Sequence, residues 1–388
     1  MWFLSQIGRR ERYDLAVALH QQGRLAALCT DVWAPWAARL PAALSPRGLA
    51  RRYRAELADA PVFAESWVNV LRSRWDRRGV FDQWVAQGER FGRFAAEVYR
   101  RRGLDAGSTA LGYTCGNLEQ FRLARQVGAR TIHVQVDPGP AWYATRADAY
   151  AANPGAGPAP AAPTAGFLDR IREEMTLADR LVVHSPHALR SLAAGGFDIS
   201  RGLVVPPAYT PAVLGRARTL SSGRPLRVLF VGYVNLAKGF HVLAAACREL
   251  GAEVTLTVVG RPQLPPDYLR SIASDGVFTG HVAPAEVTRR MAEADILVFP
   301  TLSDGFGLVQ LEAMAQGLPV IATSACGEVV RDGVDGFVVP PGDAVALAER
   351  LRRLRREPDL YAAMSRAALI RATAFGPDRH LAALLAPA

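Results

Sequence analysis

Of the 46 basic residues in this 388-residue chain, 45 are arginine and one, Lys238, is lysine. A guanidinium is broad and planar, whereas an ammonium is a compact point charge. A single lysine in an arginine-rich chain therefore marks a place where the smaller cation is wanted. Lys238 follows an apolar run, RVLFVG, and a turn, Tyr233-Val-Asn-Leu-Ala-Lys238-Gly239, ahead of a helical pattern. A strand end, a glycine turn and a helix start together aim free N–H groups and the positive end of a helix dipole at an anion. A lysine added there suits a diphosphate; a solvated surface lysine is the plainer alternative. A second cluster lies in PTLSDGFGLVQLEAMAQGLPV, residues 300–320. Its glycine-rich loop, SDGFG, allows close backbone approach. Asp304 precedes the helix that starts near Leu308, and Glu312 lies about one turn inside it. Both can face the carboxyl ends of the strands, where open α/β sheets bind ligands. Two carboxylates there can accept hydrogen bonds from sugar and ribose hydroxyls. Their alternatives are an N-cap aspartate and a solvated glutamate.

Other chemistries are excluded by what the motifs lack. Lys238 is followed by Gly239, so a Walker A loop is absent. No G-x-G-x-x-G dinucleotide fingerprint and no D-x-D pair occur. No resident cofactor and no metal site are expected. Cys29, Cys115, Cys247 and Cys326 are far apart and form no C-x-x-C pair, which reads as four reduced, packed thiols in a cytoplasmic protein. Half the residues are apolar and 21% are charged, as in a globular protein. No apolar run reaches membrane-spanning length, and MWFLSQIGRRER does not read as a secretory leader.

The elements that must position these residues alternate between β-rich and helical patterns, the signature of parallel βαβ units. Strands are expected at Trp2–Ser5, Thr109–Tyr113, Thr131–Val136 and Arg180–His184 in the first half. In the second they are expected at Arg227–Val231, Val254–Val259, Ile296–Phe299, Pro319–Ala322 and Phe337–Val339. Phe91, Phe94, Ala95 and Val98 fall on one helix face. The Pro-, Gly- and Ser-rich stretch between Pro206 and Arg227 divides the chain. A first Rossmann-like domain over residues 1–210 and a second over 211–372 are expected, with a helix in 373–388 packing back on the first. Residues 151–166, AANPGAGPAPAAPTAG, are expected to be a disordered or mobile loop, since they can bury little apolar surface. Residues 1–205 hold 27 arginines against 19 acids, so most of the net charge of +10 sits in the first domain.

The second half resembles a retaining glycosyltransferase of family 4, in glycosyl transferases group 1, with the GT-B fold. The resemblance rests on FVGYVNLAKGFHVLAAA, VVGR, TGHVAPAEVTRRMAEADILVFPTLSDGFGLVQLEAMAQGLPVIAT and GEVVRDGVDGFVVPPGD, in order over residues 227–350. LADRLVVHSPHALRSL resembles the family more weakly. The resemblance implies an α/β protein of two doubly wound parallel sheets facing a cleft. It implies that Lys238 binds the donor diphosphate and that Gly305, Phe306, Gly307 and the neighbouring Leu308 meet the transferred sugar and phosphate. Glu312 would hold the ribose, with Gly280, His281 and Val282 lining the base pocket and Gly8 approaching the diphosphate.

Three departures stand out. The family's usual glutamate is Asp304, one carbon shorter. The arginine often found five residues before the lysine is Tyr233, which leaves Arg261, after Gly260, as a substitute cation. The family's first-domain histidine has no obvious counterpart. His133 and Asp137 are the candidates, with Arg9, for the acceptor side, although a packed His133 is the plainer reading. His184 reads as a helix-start residue.

The implied activity is a metal-independent hexosyl-type transfer from a nucleoside-diphosphate-sugar to an acceptor hydroxyl in glycan biosynthesis, with retention. A nucleotide-sugar epimerase on the same fold and a degenerate, non-catalytic partner subunit are the alternatives. The acceptor is open: a glycan, a lipid-linked precursor or a small molecule. Arg47, Arg51, Arg52 and Arg54, and Arg72, Arg74, Arg77 and Arg78 with Trp67 and Trp75, suit peripheral contact with an anionic membrane on its cytoplasmic face. A solvated helix face is the alternative. No nucleic-acid-reading module is visible.

Overall fold

The structure is a computed structural model, and it describes residues 1–38, 49–65, 77–221, 223–273 and 275–386. Thirteen strands among these residues form two sheets. The first comprises β1 (Trp2–Gln6), β2 (Leu25–Thr30), β3 (Val62–Ala64), β4 (Thr109–Tyr113), β5 (Arg130–Gln135), β6 (Arg180–Val183) and β7 (Gly202–Val204). The second comprises β8 (Leu226–Val231), β9 (Val254–Val259), β10 (Val277–Gly280), β11 (Ile296–Phe299), β12 (Val320–Thr323) and β13 (Gly336–Val339). The helices that bear on the cleft are α1 (Asp14–Gln21), α2 (Val80–Arg101), α3 (Pro140–Ala151), α4 (Ala165–Leu177), α5 (Pro186–Ala194), α6 (Phe240–Leu250), α7 (Val309–Met314) and α8 (Pro377–Leu385).

Both sheets are parallel throughout and share one winding. Their orders are β3-β2-β1-β4-β5-β6-β7 and β10-β9-β8-β11-β12-β13. Helices cover both faces, so strands such as β1, β6, β11 and β12 are buried along their whole length, and β11, ILVF, is apolar throughout. Four strands are not among the sequence-based expectations. β2, LAALCT, is built of helix-favouring alanine and leucine. β3, β7 and β10 are short, and their residues are only partly buried or exposed. On α2, Phe91, Ala95 and Val98 are buried and Phe94 packs beside them, which follows the expected face.

The chain passes from β7 to β8 through residues 205–225 and returns with α8. Leu381 and Leu384 of α8 join the first-domain cluster of Trp2, Leu15, Leu19 and Val205. The expectation that residues 151–166 bury little holds for 158–162, which are exposed, but not for the first part of the segment. Ala156 is buried and packs, with Ala149 and Tyr150 of α3, into the core of the second domain. The Tyr268 hydroxyl donates to Asn153 Oδ1 at 3.0 Å. The segment can bury little against itself, and the second domain supplies the missing surface.

The order of each sheet reverses between β1 and β4 and between β8 and β11, which opens a crevice at those strand ends. Around the second crevice, backbones meet closely. Gly239 has φ +69°, and a Cβ on it would lie 1.7 Å from the Pro300 carbonyl oxygen. Gly239→Ala is therefore expected to cost more than about 1 kcal/mol of stability, from left-handed strain plus the clash. An unchanged urea-denaturation midpoint would contradict this packing.

Candidate functional site

The first-domain wall of the cleft begins where β1 ends. Gly8 turns the chain at φ +89°, and its N–H donates to Asp31 Oδ1 at 2.9 Å. Asp31 is itself ion-paired with Arg52. Glu11, Arg12 and Tyr13 follow with φ of +45°, +53° and +66°. Three successive side-chain-bearing residues in the left-handed region store on the order of 1–3 kcal/mol each, and such strain tends to sit at functional sites. Glu11 is buried, with His184 Nε2 at 3.6 Å and His380 Nε2 at 3.5 Å. Its two oxygens make no hydrogen bonds. The Nδ1 atoms of these histidines face the carbonyl oxygens of Val205 and Pro206, at 3.1 and 2.7 Å. Each Nδ1 must therefore carry a proton to bond there, which turns Nε2 toward the carboxylate. Burial lowers the His184 pKa, against the raising influence of Glu11.

The second-domain wall is built on the ends of β8 and β11. Asn235 Oδ1 accepts the Lys238 N–H at 2.8 Å and fixes the turn. The Lys238 ammonium pairs with Asp304 and stands 5.7 Å from the centre of the Phe299 ring. Asp304 Oδ1 also accepts the Phe306 N–H at 3.1 Å. Gln310 Nε2 and the Gly327 N–H donate to the Phe306 carbonyl, at 2.9 and 3.0 Å. Glu312 accepts from Arg12 of the first domain at 3.0 Å, and the Arg12 guanidinium lies 5.3 Å from the Tyr209 ring centre.

Several residues that the sequence reading passed over join the walls across the cleft. Trp142 Nε1 donates to the Ser303 carbonyl at 2.9 Å, and His187 Nε2 lies 2.8 Å from Ser303 Oγ. Ser185 Oγ donates to the Gly305 carbonyl at 2.8 Å. Together they hold the SDGFG loop against the first domain. The HSPH tetrapeptide carried a signal for this, but a Ser-Pro pair after a strand reads as a helix start. Ser185 does serve as that N-cap, accepting the Ala188 N–H at 3.0 Å.

Two adjoining cavities occupy the cleft. One, of about 450 Å³, is lined by Tyr233, Lys238, Asp304, Phe306, Gly307 and Leu308 on the second domain, facing Arg9, Arg10, Glu11, Tyr113 and His184. The other, of about 640 Å³, is lined by Tyr233, Gly260, Arg261, His281, Val282 and Glu312, facing Arg9, Arg12 and Arg51. Gly8, Gly280 and Gly305 lie outside both linings. The Gly8 amide is committed to Asp31, the Gly280 carbonyl accepts the Gly260 N–H at 2.9 Å, and Gly305 packs on the Val136 backbone.

The acceptor-side expectation for His133 fails on geometry. His133 is fully buried in mid-sheet, with Nδ1 3.1 Å from Asn117 Nδ2 and Nε2 3.1 Å from Gln135 Oε1. Burial brings its pKa down to about 4. Asp137 accepts the Gly139 N–H at 2.8 Å and turns the chain into α3; it lines neither cavity. Arg52 pairs with Asp31, and Arg54 with Asp14 and Glu56; Arg51 is exposed at the rim of the larger cavity, and Arg77 and Arg78 are exposed. Arg47, Trp67, Arg72, Arg74 and Trp75 lie outside the described residues. Among the described residues no group of three or more His, Cys, Asp or Glu could hold a metal ion, and no helix is long and apolar enough to cross a membrane.

Residues 225–357 match the family model described as Glycosyl transferases group 1. The D-inositol 3-phosphate glycosyltransferase of Arthrobacter sp. (strain FB24) is 32% identical over 231 residues, 54% of this chain and 55% of that protein. The chain thus spans about half the length of the curated relatives it matches. Sucrose-phosphate synthase from Thermosynechococcus elongatus has a TM-score of 0.65 at 19% identity, over 98% of this chain and 96% of that one. Anabaena Alr3699/HepE in complex with UDP has a TM-score of 0.62 at 15% identity, over 99% and 98%. The fold is therefore GT-B: two Rossmann-like domains across a cleft.

The contact at Gly305 gives a test of the closed arrangement. A Cβ there would lie 2.3 Å from the Val136 carbonyl oxygen of the other domain. Gly305→Ala is expected to pry the SDGFG loop from the first domain and to cost about 1–3 kcal/mol, as overpacking does. A melting temperature equal to wild type would count against the clamp.

Proposed function

We propose that this chain, which carries a glycosyl transferases group 1 match over residues 225–357, moves a sugar from a nucleoside diphosphate to an acceptor hydroxyl. The observation that carries the reading is the convergence of Lys238, Asp304, Gly307 and Glu312 on one cleft at the second sheet's switch point. In this reading the nucleoside fills the larger cavity and the sugar the smaller. The donor diphosphate draws the Lys238 ammonium from Asp304, and Asp304 then accepts from a sugar hydroxyl. Glu312 releases Arg12 and takes the ribose hydroxyls. The Arg12–Glu312 pair is partly exposed, and such pairs are worth only about 0–1 kcal/mol, so the exchange is easy.

As the bond from the anomeric carbon to the diphosphate oxygen breaks, charge gathers on the leaving group. A preorganised ammonium and the aligned amides at the start of α6 stabilise it. Retention, a metal-independent mechanism and a cytoplasmic setting belong to the same reading. The UDP held by the Anabaena structure makes uracil the first base to test, and the relatives named for D-inositol 3-phosphate make a phosphorylated cyclic polyol the first acceptor. For membrane attachment through the arginine stretches, Arg51, Arg77 and Arg78 are exposed, whereas Arg52 and Arg54 are paired within the first domain.

A thermal-shift panel of nucleotide sugars tests the reading directly, because a ligand at 100 times its Kd stabilises by about 2.7 kcal/mol. Lys238→Ala is expected to lower kcat by roughly two to three orders of magnitude, about 2.7–4 kcal/mol of transition-state stabilisation; wild-type turnover would sink its role. Glu312→Gln should weaken nucleoside diphosphate binding, whereas Asp304→Asn should spare it and damage transfer. Equal losses by calorimetry would overturn that division. Turnover should survive excess chelator, and strict dependence on magnesium or manganese would refute the metal-independent mechanism.

A further inference from the structure

The two cavities adjoin at a waist. Four residues line both: Arg9, Val231, Gly232 and Tyr233. Lys238 and Asp304 lie beyond the waist on one side, His281 and Glu312 on the other. A donor with its base beside His281 and its sugar beside Asp304 must thread its diphosphate through the waist. Lys238 reaches it from the sugar side only. The second domain otherwise offers Val231, Gly232 and the uncharged, exposed Tyr233 there, since the expected substitute cation, Arg261, lines the larger cavity only. Among the described residues, Arg9 is the one charged side chain that lines both cavities.

Arg9 is also short of a counter-ion. Its Nε is buried with no hydrogen-bond partner. Of the carboxylates around it, Asp31 is paired with Arg52, Asp14 with Arg54 and, across the cleft, Glu312 with Arg12, while Glu11 stands between His184 and His380. Burial, followed by the like charges of Arg12, Arg54 and Arg51, lowers its pKa. A buried donor among cations, without an acceptor, leaves a cost that an anion would relieve.

We propose that Arg9 is the second cation of the donor diphosphate site, supplied by the first domain where Tyr233 leaves the second domain without one. This deepens the transferase reading and rests on it. Its consequence is that the donor is fully held only when the two domains meet, because the two cations sit on opposite walls.

The test moves the charge from one wall to the other. Calorimetry with UDP, ADP and GDP, and with the matching nucleosides, is run on wild type, Arg9→Gln and the double variant Arg9→Gln/Tyr233→Arg. Arg9→Gln should bind the preferred diphosphate roughly ten- to hundredfold more weakly, the worth of a charged hydrogen-bond partner, and bind the nucleoside as wild type does. The double variant should recover most of the loss, which separates charge from misfolding. Wild-type affinity of Arg9→Gln for the diphosphate overturns the assignment, and so does an equal loss for the nucleoside or a failure of Tyr233→Arg to rescue. A wild type that binds no nucleoside diphosphate overturns both this assignment and the transferase reading.

Discussion

Lys238 and Asp304 neutralise one another at the joint between β8 and β11, and much of the cleft is arranged around that balance. An isolated cation in a half-enclosed crevice would be costly, and the Asp304 carboxylate offsets that cost. The Asp304 carboxylate in turn bonds the Phe306 N–H, so the same pair shapes the SDGFG loop. That loop is the surface against which Trp142, Ser185 and His187 close the first domain. Arg12 and Glu312 repeat the arrangement further along, with the cation on one domain and the anion on the other. Both pairs set charges in the cleft that an anionic ligand can redistribute, and the second also ties one domain to the other.

The second sheet was largely legible from sequence because its strands are buried β-branched or aromatic runs with glycine-rich turns after them. RVLFVG, VTLTVVG and ILVF lead to strands whose bounds match the expected ones to within a residue. The motif residues were legible for the same reason: close approach demands glycine, and the lone lysine stood out against arginine. The first domain was harder to read. LAALCT hides a strand in helix-favouring residues, and the short edge strands have too few positions to show a period. His133, for which packing was already the plainer reading, sits in mid-strand, where a side chain points into a layer and not out of the strand end. Contacts between distant segments left no local trace at all, as Trp142 with Ser303 and Ala156 with the second-domain core both show.

The Gly8–Tyr13 segment concentrates several constraints in a few residues. It carries a glycine turn, three left-handed residues in succession, a buried carboxylate between two imidazoles and two arginines that face the other domain. Relaxing any one of these backbone angles would shift Arg9, Glu11 and Arg12 together. The tertiary contacts that fix the segment are therefore part of the site. Arg54 shows this plainly, since it donates to the Arg12 carbonyl at 2.9 Å while pairing with Asp14.

The return of α8 to the first domain means that the polypeptide crosses between domains twice. The crossings run side by side: the Tyr209 N–H donates to the Phe375 carbonyl at 2.7 Å, and His380 Nδ1 bonds the Pro206 carbonyl at 2.7 Å. Two adjacent, hydrogen-bonded crossings act as a hinge pin. They permit one domain to swing about the line that joins them and resist twist or translation, which a single linker would allow. The second domain is in effect inserted into the first, and its freedom is that of a door on its frame.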